Sequence, residues 1–249
     1  MKQYFMVKRI LDIMFSIFLM VLLSPIILMA AAAIRIESEG PAFFKQQRLG
    51  FKGRCFTIYK LRTMIVNAEK TGTPVWSCKG DSRITRVGAF LRKTSLDEIP
   101  QLLNVLKGEM SLIGPRPTLT WQPFRLEDYP EEFRTRFDVL PGISGLAQIS
   151  GRKELPWEKR LALDKTYVEN ISFRLDVKIF FMTILKIFLM QGCYNIPPAA
   201  GIPGKEVPPG PCRFDEGKPE SRRNICRQKT YRKKKRAQHD EVCSDDRCL

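Results

Sequence analysis

The longest apolar run in the sequence lies near its start, from Ile10 to Ile34, and few polar residues interrupt it. A straight helix of this length is roughly 37 Å long at 1.5 Å per residue, which exceeds a bilayer core of about 30 Å. The run is too long for a cleavable signal peptide, and no clear small-residue cleavage site closes it. The pattern therefore predicts a helix that enters a membrane.

Two features of this helix argue against a simple crossing. Pro25 removes a backbone hydrogen bond and favours a kink, and Ser24 can bond to the freed carbonyl within lipid. Both flanks are also basic, with Lys2, Lys8 and Arg9 before the run and Arg35, Lys45, Arg48, Lys52 and Arg54 after it. The positive-inside rule places both flanks in the cytoplasm, which a single span cannot do. A re-entrant helix over residues 1–36 that bends at the Ser24-Pro25 pair is favoured, and a straight span is the alternative.

A second amphiphilic segment occupies residues 175–190 and has the sequence LDVKIFFMTILKIFLM. It is short for a membrane span, and Lys178 and Lys186 interrupt its apolar residues. This pattern favours a helix in the membrane interface with its lysines toward lipid phosphates. A helix buried in the protein core is the alternative.

Between these segments, two stretches rich in β-branched and aromatic residues flank the sequence GFKG at positions 50–53, which predicts a β-hairpin. On the second strand, side chains alternate between faces, so Lys60 and Arg62 are expected to emerge together next to Thr63. Two cations held at a strand end suit a phosphate. A solvated strand end is the alternative.

Helical spacing of apolar residues follows in residues 81–92 and again after Ser95. The second helix is expected to end at Gly108. Its predicted core-facing stripe consists of Ile99, Leu102, Leu103 and Leu106.

These elements predict an α-rich α+β fold: a monotopic membrane protein with an N-terminal re-entrant helix, a small β-hairpin and amphipathic interfacial helices. The expected organisation is a re-entrant membrane helix at 1–36, a cytoplasmic domain at 37–192 that contains the interfacial helix at 175–190, and a tail at 193–249. The tail is basic, contains cysteines and lacks apolar periodicity, so it is expected to be disordered.

Charge narrows the range of partners. The chain has 42 basic and 26 acidic residues, a net charge of +16, which favours an anionic partner such as phospholipid, nucleotide or nucleic acid. Five of the seven cysteines lie in the tail, no CxxC pair occurs, and His239 is the one histidine of the sequence. This distribution gives poor support to a zinc site or a disulfide framework.

Two adjacent carboxylates, Asp97 and Glu98, open the second predicted helix. One alternative is purely structural, because Ser95 and Glu98 have the spacing of a capping box and Asp97 can itself act as an N-cap. The functional hypothesis is that one carboxylate attacks phosphorus while the other holds a divalent metal. Arg92, five residues earlier, would then help to hold a diphosphate.

Two further loops carry candidate chemistry. In the sequence GPRP at 114–117, two prolines fix the backbone around Arg116 and pre-position its guanidinium for phosphate. The glycine-rich stretch 141–152, which contains Gln148 and Arg152, lacks the spacing of a P-loop or a dinucleotide fingerprint. Proline-flanked arginines also occur in inert loops, and the spacing of the glycine-rich stretch does not show that it wraps a nucleotide, so neither loop alone defines a site.

Together, these segments resemble the bacterial sugar transferases, the small monotopic polyprenyl-phosphate phosphoglycosyl transferases. The resemblance rests on the membrane segment with Ser24-Pro25, KLRTM at 60–64, LRKTSLDEIPQLLNVLKGEMSLIGPRP at 91–117 and PGISGLAQISGR at 141–152. These motifs extend from about residue 8 to residue 192, nearly the whole catalytic unit of the small form of this family.

The resemblance implies that a UDP-sugar donates its sugar-1-phosphate to undecaprenyl phosphate and releases UMP, as a first membrane step toward a surface polysaccharide, lipopolysaccharide or other glycoconjugate. It implies a phospho-aspartyl intermediate with Asp97 as nucleophile, and Mg²⁺ held by Glu98. It further implies phosphate or substrate binding by Lys60, Arg62, Arg92, Arg116, Gln148 and Arg152, with Asp176 as a weaker candidate. The expected location is the cytoplasmic face of the bacterial inner membrane.

Two other classes of function stay open at this stage. A membrane-anchored nucleic-acid-binding or regulatory protein would use the charge and the basic run RKKKR in the tail, but no nucleic-acid fold is recognisable, so no nucleic-acid partner is expected. An inactive scaffold of the same fold is the second, although both carboxylates are present. The sequence does not define the sugar or the oligomeric state, and a homo-oligomer is possible.

Overall fold

The computed structural model describes residues 2–68, 81–151 and 155–189, and this part of the chain is rich in helix with two small sheets. The helices and strands in chain order are α1 (Lys2–Glu37), β1 (Phe43–Leu49), β2 (Cys55–Leu61), α2 (Arg86–Thr94), α3 (Leu102–Lys107), β3 (Ser111–Ile113), β4 (Thr118–Leu119), β5 (Gly142–Ser144), α4 (Leu146–Ser150), α5 (Trp157–Glu169) and α6 (Phe173–Phe188). Short 3-10 helices connect several of these elements, at Phe51–Gly53, Leu96–Gln101, Leu126–Asp128 and Glu131–Asp138. The predicted tail at 193–249 lies outside the described residues.

Helix α1 contains Pro25 in its second half. The Ser24 hydroxyl donates to the carbonyl of Val21 at 2.8 Å, which is the carbonyl that Pro25 leaves without a helical donor. The predicted compensation by Ser24 is therefore confirmed. Within the described residues, α1 is the one helix long and apolar enough to cross a membrane, and side chains around this pair, such as Phe18 and Leu28, are exposed.

Both ends of α1 contact the domain that follows it. Near the start, the Asp12 carboxylate accepts hydrogen bonds from the Ser111 hydroxyl at 2.7 Å and the Leu112 amide at 3.3 Å. At the end, the Glu37 carboxylate accepts from the amides of Arg86 and Val87 at 2.7 and 3.0 Å. Large apolar side chains nevertheless stay exposed along the length of α1, from Phe5 to Ile36.

The predicted hairpin is confirmed. Strands β1 and β2 pair antiparallel from Phe43 opposite Leu61 to Leu49 opposite Cys55, and β4 pairs with the other edge of β1. A second sheet has two parallel strands, β3 and β5. This second sheet places the loop at 114–117 beside the glycine-rich stretch, because the loop follows β3 directly and β5 lies within the stretch 141–152.

The two helices predicted between 81 and 108 differ in detail from expectation. Helix α2 begins at Arg86, with the Thr85 hydroxyl accepting from the Gly88 amide at 2.9 Å. The second helix begins with the 3-10 turn Leu96–Gln101, and only then becomes α3. Gly108 ends α3 with a φ of 84°, as expected.

The predicted core stripe of this segment is wrong at Leu103, which is 42% exposed. A 3-10 helix has three residues per turn instead of 3.6, so the turn at 96–101 rotates the face that meets the core. Leu102 is buried as predicted. Val105, which is not part of the predicted stripe, is also buried and packs with Phe56 and Ile58 of β2. Val105 therefore joins α3 to the hairpin.

Helix α6 confirms the predicted helix at 175–190 within the described residues. Ile179 is fully buried in a cluster with Ile113, Ile149 and Tyr167. The opposite face leaves a row of large apolar side chains exposed, namely Phe173, Val177, Phe181, Ile184 and Leu185. The helix is therefore neither wholly buried nor wholly solvated.

Candidate active site

Glu98 is the centre of a group of charged side chains supplied by three elements. Its Oε1 accepts a hydrogen bond from Lys60 Nζ at 2.8 Å, where Lys60 is near the end of β2. Arg116, in the loop after β3, contacts both carboxylate oxygens of Glu98, with Nη1 3.2 Å from Oε2 and Nη2 bonded to Oε1. The structure thus brings together three of the residues predicted for the site.

Asp97 precedes Glu98 on the same 3-10 turn and is 9% exposed. Its negative charge favours the protonated forms of both Lys60 and Arg116, acting to raise the pKa of each. The two carboxylates therefore face one pair of cations. The site consists of two carboxylates and two cationic side chains at the junction of the hairpin, the 3-10 turn and the 114–117 loop.

The local backbone explains why both carboxylates belong to the site. Ser95 has a φ of 59° between α2 and the 3-10 turn, and its side chain makes no capping hydrogen bond. Glu98 binds Lys60 and Arg116 through its side chain. The capping alternative for Ser95, Asp97 and Glu98 is therefore wrong, because Asp97 lies inside the turn and Glu98 has other partners.

Electrostatics keep this group charged. Burial alone would raise the pKa of the Glu98 carboxyl, but Arg116 and Lys60 outweigh it and hold that pKa well below its ordinary value. Glu98 in turn raises the pKa of Arg116. Burial lowers the pKa of Lys60, and Glu98 only partly opposes this effect. If Lys60 and Arg116 leave Glu98 and bind an incoming phosphate group, their two positive charges can neutralise two of its negative charges.

Arg62 does not join Lys60. Its guanidinium donates to the backbone oxygens of Glu39 at 2.6 Å and Ser38 at 2.8 Å, and also to the Ser38 hydroxyl. It therefore fixes the chain that leaves α1. The expectation that Lys60 and Arg62 emerge together is wrong, because β2 ends at Leu61 and its alternation does not continue.

Arg92 and Asp176 have other contacts. Arg92 Nε donates to the hydroxyl of Thr63 at 2.8 Å, beside the end of β2. The carboxylate of Asp176 accepts from Tyr4 and Lys8 of α1, each at 2.6 Å, and from Tyr167 at 2.8 Å. Asp176 therefore joins α6 to the start of α1, and these contacts are separate from the group around Glu98.

The glycine-rich stretch is described only in part. Gln148 is buried on α4, and neither atom of its amide has a hydrogen-bond partner in the described part of the chain. Such an unsatisfied buried amide is uncommon in folded proteins and is compatible with a ligand-binding role. Arg152 lies outside the described residues.

The residues present fit Mg²⁺ when substrate supplies part of its coordination. No group of three or more potential metal-ligating side chains occurs among residues 2–68, 81–151 and 155–189. Mg²⁺, however, is commonly bound by one or two carboxylates together with substrate phosphates and water. Asp97 and Glu98 supply a carboxylate pair of this kind.

Sequence reasoning missed a buried ion pair behind Arg116. Arg136, on the 3-10 helix Glu131–Asp138, lies with Nη2 3.0 Å from Oδ2 of Asp164 on α5, and both side chains are 4% exposed. The same Nη2 donates to the carbonyl of Arg116 at 2.5 Å. In the sequence, neither residue belongs to a motif or spacing that distinguishes it from the charged residues of the protein surface. The sequence therefore did not indicate that the two are buried as a pair.

Comparison with known proteins gives a consistent result. The family model described as "Bacterial sugar transferase" matches residues 3–190. The chain is 45% identical over 186 residues to the uncharacterized sugar transferase EpsL of Bacillus subtilis, covering 74% of this chain and 89% of EpsL. It is 41% identical to a UDP-glucose:undecaprenyl-phosphate glucose-1-phosphate transferase of Caulobacter vibrioides, covering 75% of this chain and 72% of the relative. A protein with the same description from Klebsiella pneumoniae is also 41% identical, but the match covers only 41% of that longer protein.

Proposed function

Because this chain belongs to the bacterial sugar transferase family, we propose that it transfers sugar-1-phosphate from a UDP-sugar to undecaprenyl phosphate and releases UMP. It is a phosphoglycosyl transferase, and related proteins are described as glucose-1-phosphate or galactose phosphotransferases acting on undecaprenyl phosphate. The observation that carries the proposal is the pair Asp97 and Glu98 facing Lys60 and Arg116.

In the first half-reaction, a carboxylate oxygen of Asp97 attacks the phosphorus that carries the sugar. A bond forms between that oxygen and phosphorus, and the bond from phosphorus to the bridging oxygen of the diphosphate breaks. UMP departs with the electron pair. Splitting the transfer into two steps in this way is the general advantage of covalent catalysis.

In the second half-reaction, a phosphate oxygen of undecaprenyl phosphate attacks the phosphorus bound to Asp97. The bond between phosphorus and the Asp97 oxygen breaks, which restores the carboxylate. The product is the sugar joined to the lipid through a diphosphate. The same cations serve both steps, because the charge on phosphorus and its leaving group is negative each time.

Arg116 and Lys60 would move from Glu98 toward the substrate diphosphate, where their charges reduce the repulsion between Asp97 and the anionic donor. Glu98 would then hold Mg²⁺, which supplies further neutralisation of the phosphates when bound. Gln148, whose buried amide has no partner in the described part of the chain, would contribute to donor binding. Arg92, on α2 beside the end of β2, would support the diphosphate.

Membrane association follows from the exposed apolar helix and from the lipid-linked substrate of the relatives. We place the protein on the cytoplasmic face of the inner membrane, with α1 re-entrant. Support comes from Asp12 and Glu37, which contact the same domain from opposite ends of α1. A helix that crossed the bilayer once would separate these two ends by the membrane. The exposed apolar row of α6 supports an interfacial position for that helix.

The reaction would be the first membrane step in making a surface polysaccharide or glycoconjugate. Among the relatives, an exopolysaccharide production protein ExoY of Sinorhizobium fredii is 37% identical over 201 residues and is matched over 88% of its length. A lipid-linked sugar is the form in which such a pathway can assemble a glycan at the membrane. The identity of the sugar is left to experiment.

The decisive experiment compares the wild type with Asp97→Asn in detergent, using a panel of UDP-sugars, Mg²⁺ and undecaprenyl phosphate. The wild type should release UMP and, without acceptor, carry a sugar-phosphate adduct on Asp97 detectable by peptide mass spectrometry. Asp97→Asn should show neither, with unchanged membrane association. Undiminished UMP release by the variant would exclude Asp97 as nucleophile, and no release by the wild type with any donor would exclude the reaction.

A further inference from the structure

The loop that carries Arg116 is held in an unusual way. Pro115 and Pro117 have no amide hydrogen to donate, so the backbone of this part of the chain depends mainly on its carbonyls for hydrogen bonds. Each of the three carbonyls accepts a hydrogen bond: that of Pro115 from the Gly142 amide at 2.9 Å, that of Pro117 from Arg48 at 3.4 Å, and that of Arg116 from Arg136 at 2.5 Å. The contact of Arg136 with the Arg116 carbonyl fixes the residue whose side chain binds Glu98.

The arginine that makes this contact is itself fully buried and fixed. Besides the Arg116 carbonyl, Arg136 binds the hydroxyl of Tyr129 at 2.7 Å and the carboxylate of Asp164 at 3.0 Å. Its guanidinium lies 5.9 and 5.6 Å from the ring centres of Tyr129 and Phe137. A buried guanidinium needs a counter-charge, and Asp164 provides it.

We propose that the buried pair Arg136–Asp164 is a positioning pair, which fixes the backbone of Arg116 so that its guanidinium meets the donor diphosphate at the correct place. This inference rests on the proposed transferase function and assigns to it two residues that do not touch the substrate. Rigid support of this kind matters because small displacements of a phosphate-binding group cause large losses of rate.

The raised pKa of Asp164 makes the proposed positioning role testable through the pH dependence of the reaction rate. Burial raises the pKa of its carboxyl to about 6, while Arg136 and Arg160 act in the opposite direction. Below that pH, protonation removes the counter-charge of Arg136 and weakens its hold on the loop. Among the described residues, Arg160 also faces Asp164, and its Nε donates to the carbonyl of Leu155 at 2.7 Å.

The test measures the burst of UMP released from donor and Mg²⁺ without acceptor. This half-reaction is chosen because the donor diphosphate has no group that titrates near pH 6, whereas a lipid phosphate has one. We expect Asp164→Asn to reduce the burst rate at least tenfold at pH 7.5 and to abolish a decline of the wild-type rate centred near pH 6. Asp138→Asn is the matched control, because Asp138 lies on the 3-10 helix that carries Arg136 and forms an exposed ion pair with Lys52.

A double-mutant comparison separates positioning from general damage to the fold. If Asp164 acts through Arg116, then adding Asp164→Asn to Arg116→Ala should change the residual rate less than twofold. Arg136→Lys is a second variant, which keeps the positive charge but cannot bind Asp164, Tyr129 and the Arg116 carbonyl together, and it should show the same dependence on Arg116.

Equal losses in the presence and absence of the Arg116 side chain would overturn the proposal, as would an undiminished burst in a folded Asp164→Asn protein. If Asp164→Asn fails to fold, the Arg136→Lys comparison decides by the same criterion. These outcomes are distinct from failure of the proposed function, in which the wild type itself would release no UMP.

Discussion

Glu98 accepts hydrogen bonds from Lys60 and Arg116 at the same time, and this shared carboxylate sets the charge state of the site. In Glu98→Gln, the two cations would remain but would lose their neutralising partner and the proposed metal ligand. The rate of UMP release should therefore fall by about 10²-fold or more, the size of effect expected when one electrostatic group of a transition-state site is lost. Steady-state assays over a range of Mg²⁺ concentrations would measure it.

Glu109→Gln is a suitable control, because Glu109 accepts a hydrogen bond from Asn104 and makes no contact with the two cations in the described part of the chain. This variant should stay within about twofold of the wild type. Wild-type activity in Glu98→Gln would contradict the role assigned to this carboxylate.

At the level of residues, the sequence patterns indicated candidate site residues more reliably than they indicated which side chains contact one another. Adjacent carboxylates and a proline-flanked arginine are local features, and the family resemblance assigned Asp97, Glu98 and Arg116 to one site. The structure brings these side chains together. The partners of Arg62 and Asp176 could not be foreseen, because long side chains reach partners that only the tertiary fold brings near. Arg62 reaches back to Ser38, 24 positions earlier in the chain.

At the level of elements, Ile34 on α1 is 2% exposed and packs with Leu61 and Leu91, whereas Ile36 is 88% exposed. Ile34→Ala should lower the free energy of unfolding by about 2–5 kcal/mol, since it removes buried methyl and methylene groups and leaves a cavity. Ile36→Ala, on the same helix, should change it by less than about 0.5 kcal/mol. Denaturant unfolding in a fixed detergent would compare them, and equal effects would show that α1 does not pack as described.

The Ser24-Pro25 pair leads to a second prediction about α1. In Pro25→Ala, the carbonyl of Val21 regains its helical donor, which favours a straight helix that crosses the bilayer. A cysteine introduced at Gln3, in a background with the native cysteines replaced by serine, should be labelled from the cytoplasmic side in wild type and from the periplasmic side in Pro25→Ala. Periplasmic labelling in the unaltered helix would refute the re-entrant arrangement.

Which elements were predictable depends on how local their causes are. The hairpin at 43–61 follows from two β-rich stretches around a glycine-containing turn, and the C-terminal end of α3 follows from Gly108. The 3-10 turn at Leu96–Gln101 was not foreseen, because helical spacing over a few residues does not distinguish 3.0 from 3.6 residues per turn. That turn nevertheless determines where Asp97 and Glu98 point.

At the level of the whole molecule, the proposed reaction requires a water-soluble donor and a lipid acceptor to meet at one depth. The chain combines a net charge of +16 with apolar side chains exposed on α1 and α6. Cations attract the anionic membrane surface, and apolar side chains enter it. We infer that α1 anchors the protein while α6 adjusts the position of the site at the interface.

This division predicts that the two half-reactions can be separated. Phe181 and Leu185 lie four residues apart on the exposed face of α6. The double substitution Phe181→Glu and Leu185→Glu would repel that face from the membrane and leave the buried face of the helix intact. The double variant should stay membrane-bound through α1 and release the UMP burst at a near-normal rate. Transfer to undecaprenyl phosphate in vesicles should fall about tenfold or more, because each large apolar side chain contributes about 1.5–3 kcal/mol when buried in an apolar phase. Ala162→Glu, on the exposed face of α5, is the control for added charge. An equal loss of both half-reactions in the α6 variant would show that α6 supports the fold of the site and does not set the depth of the site in the membrane.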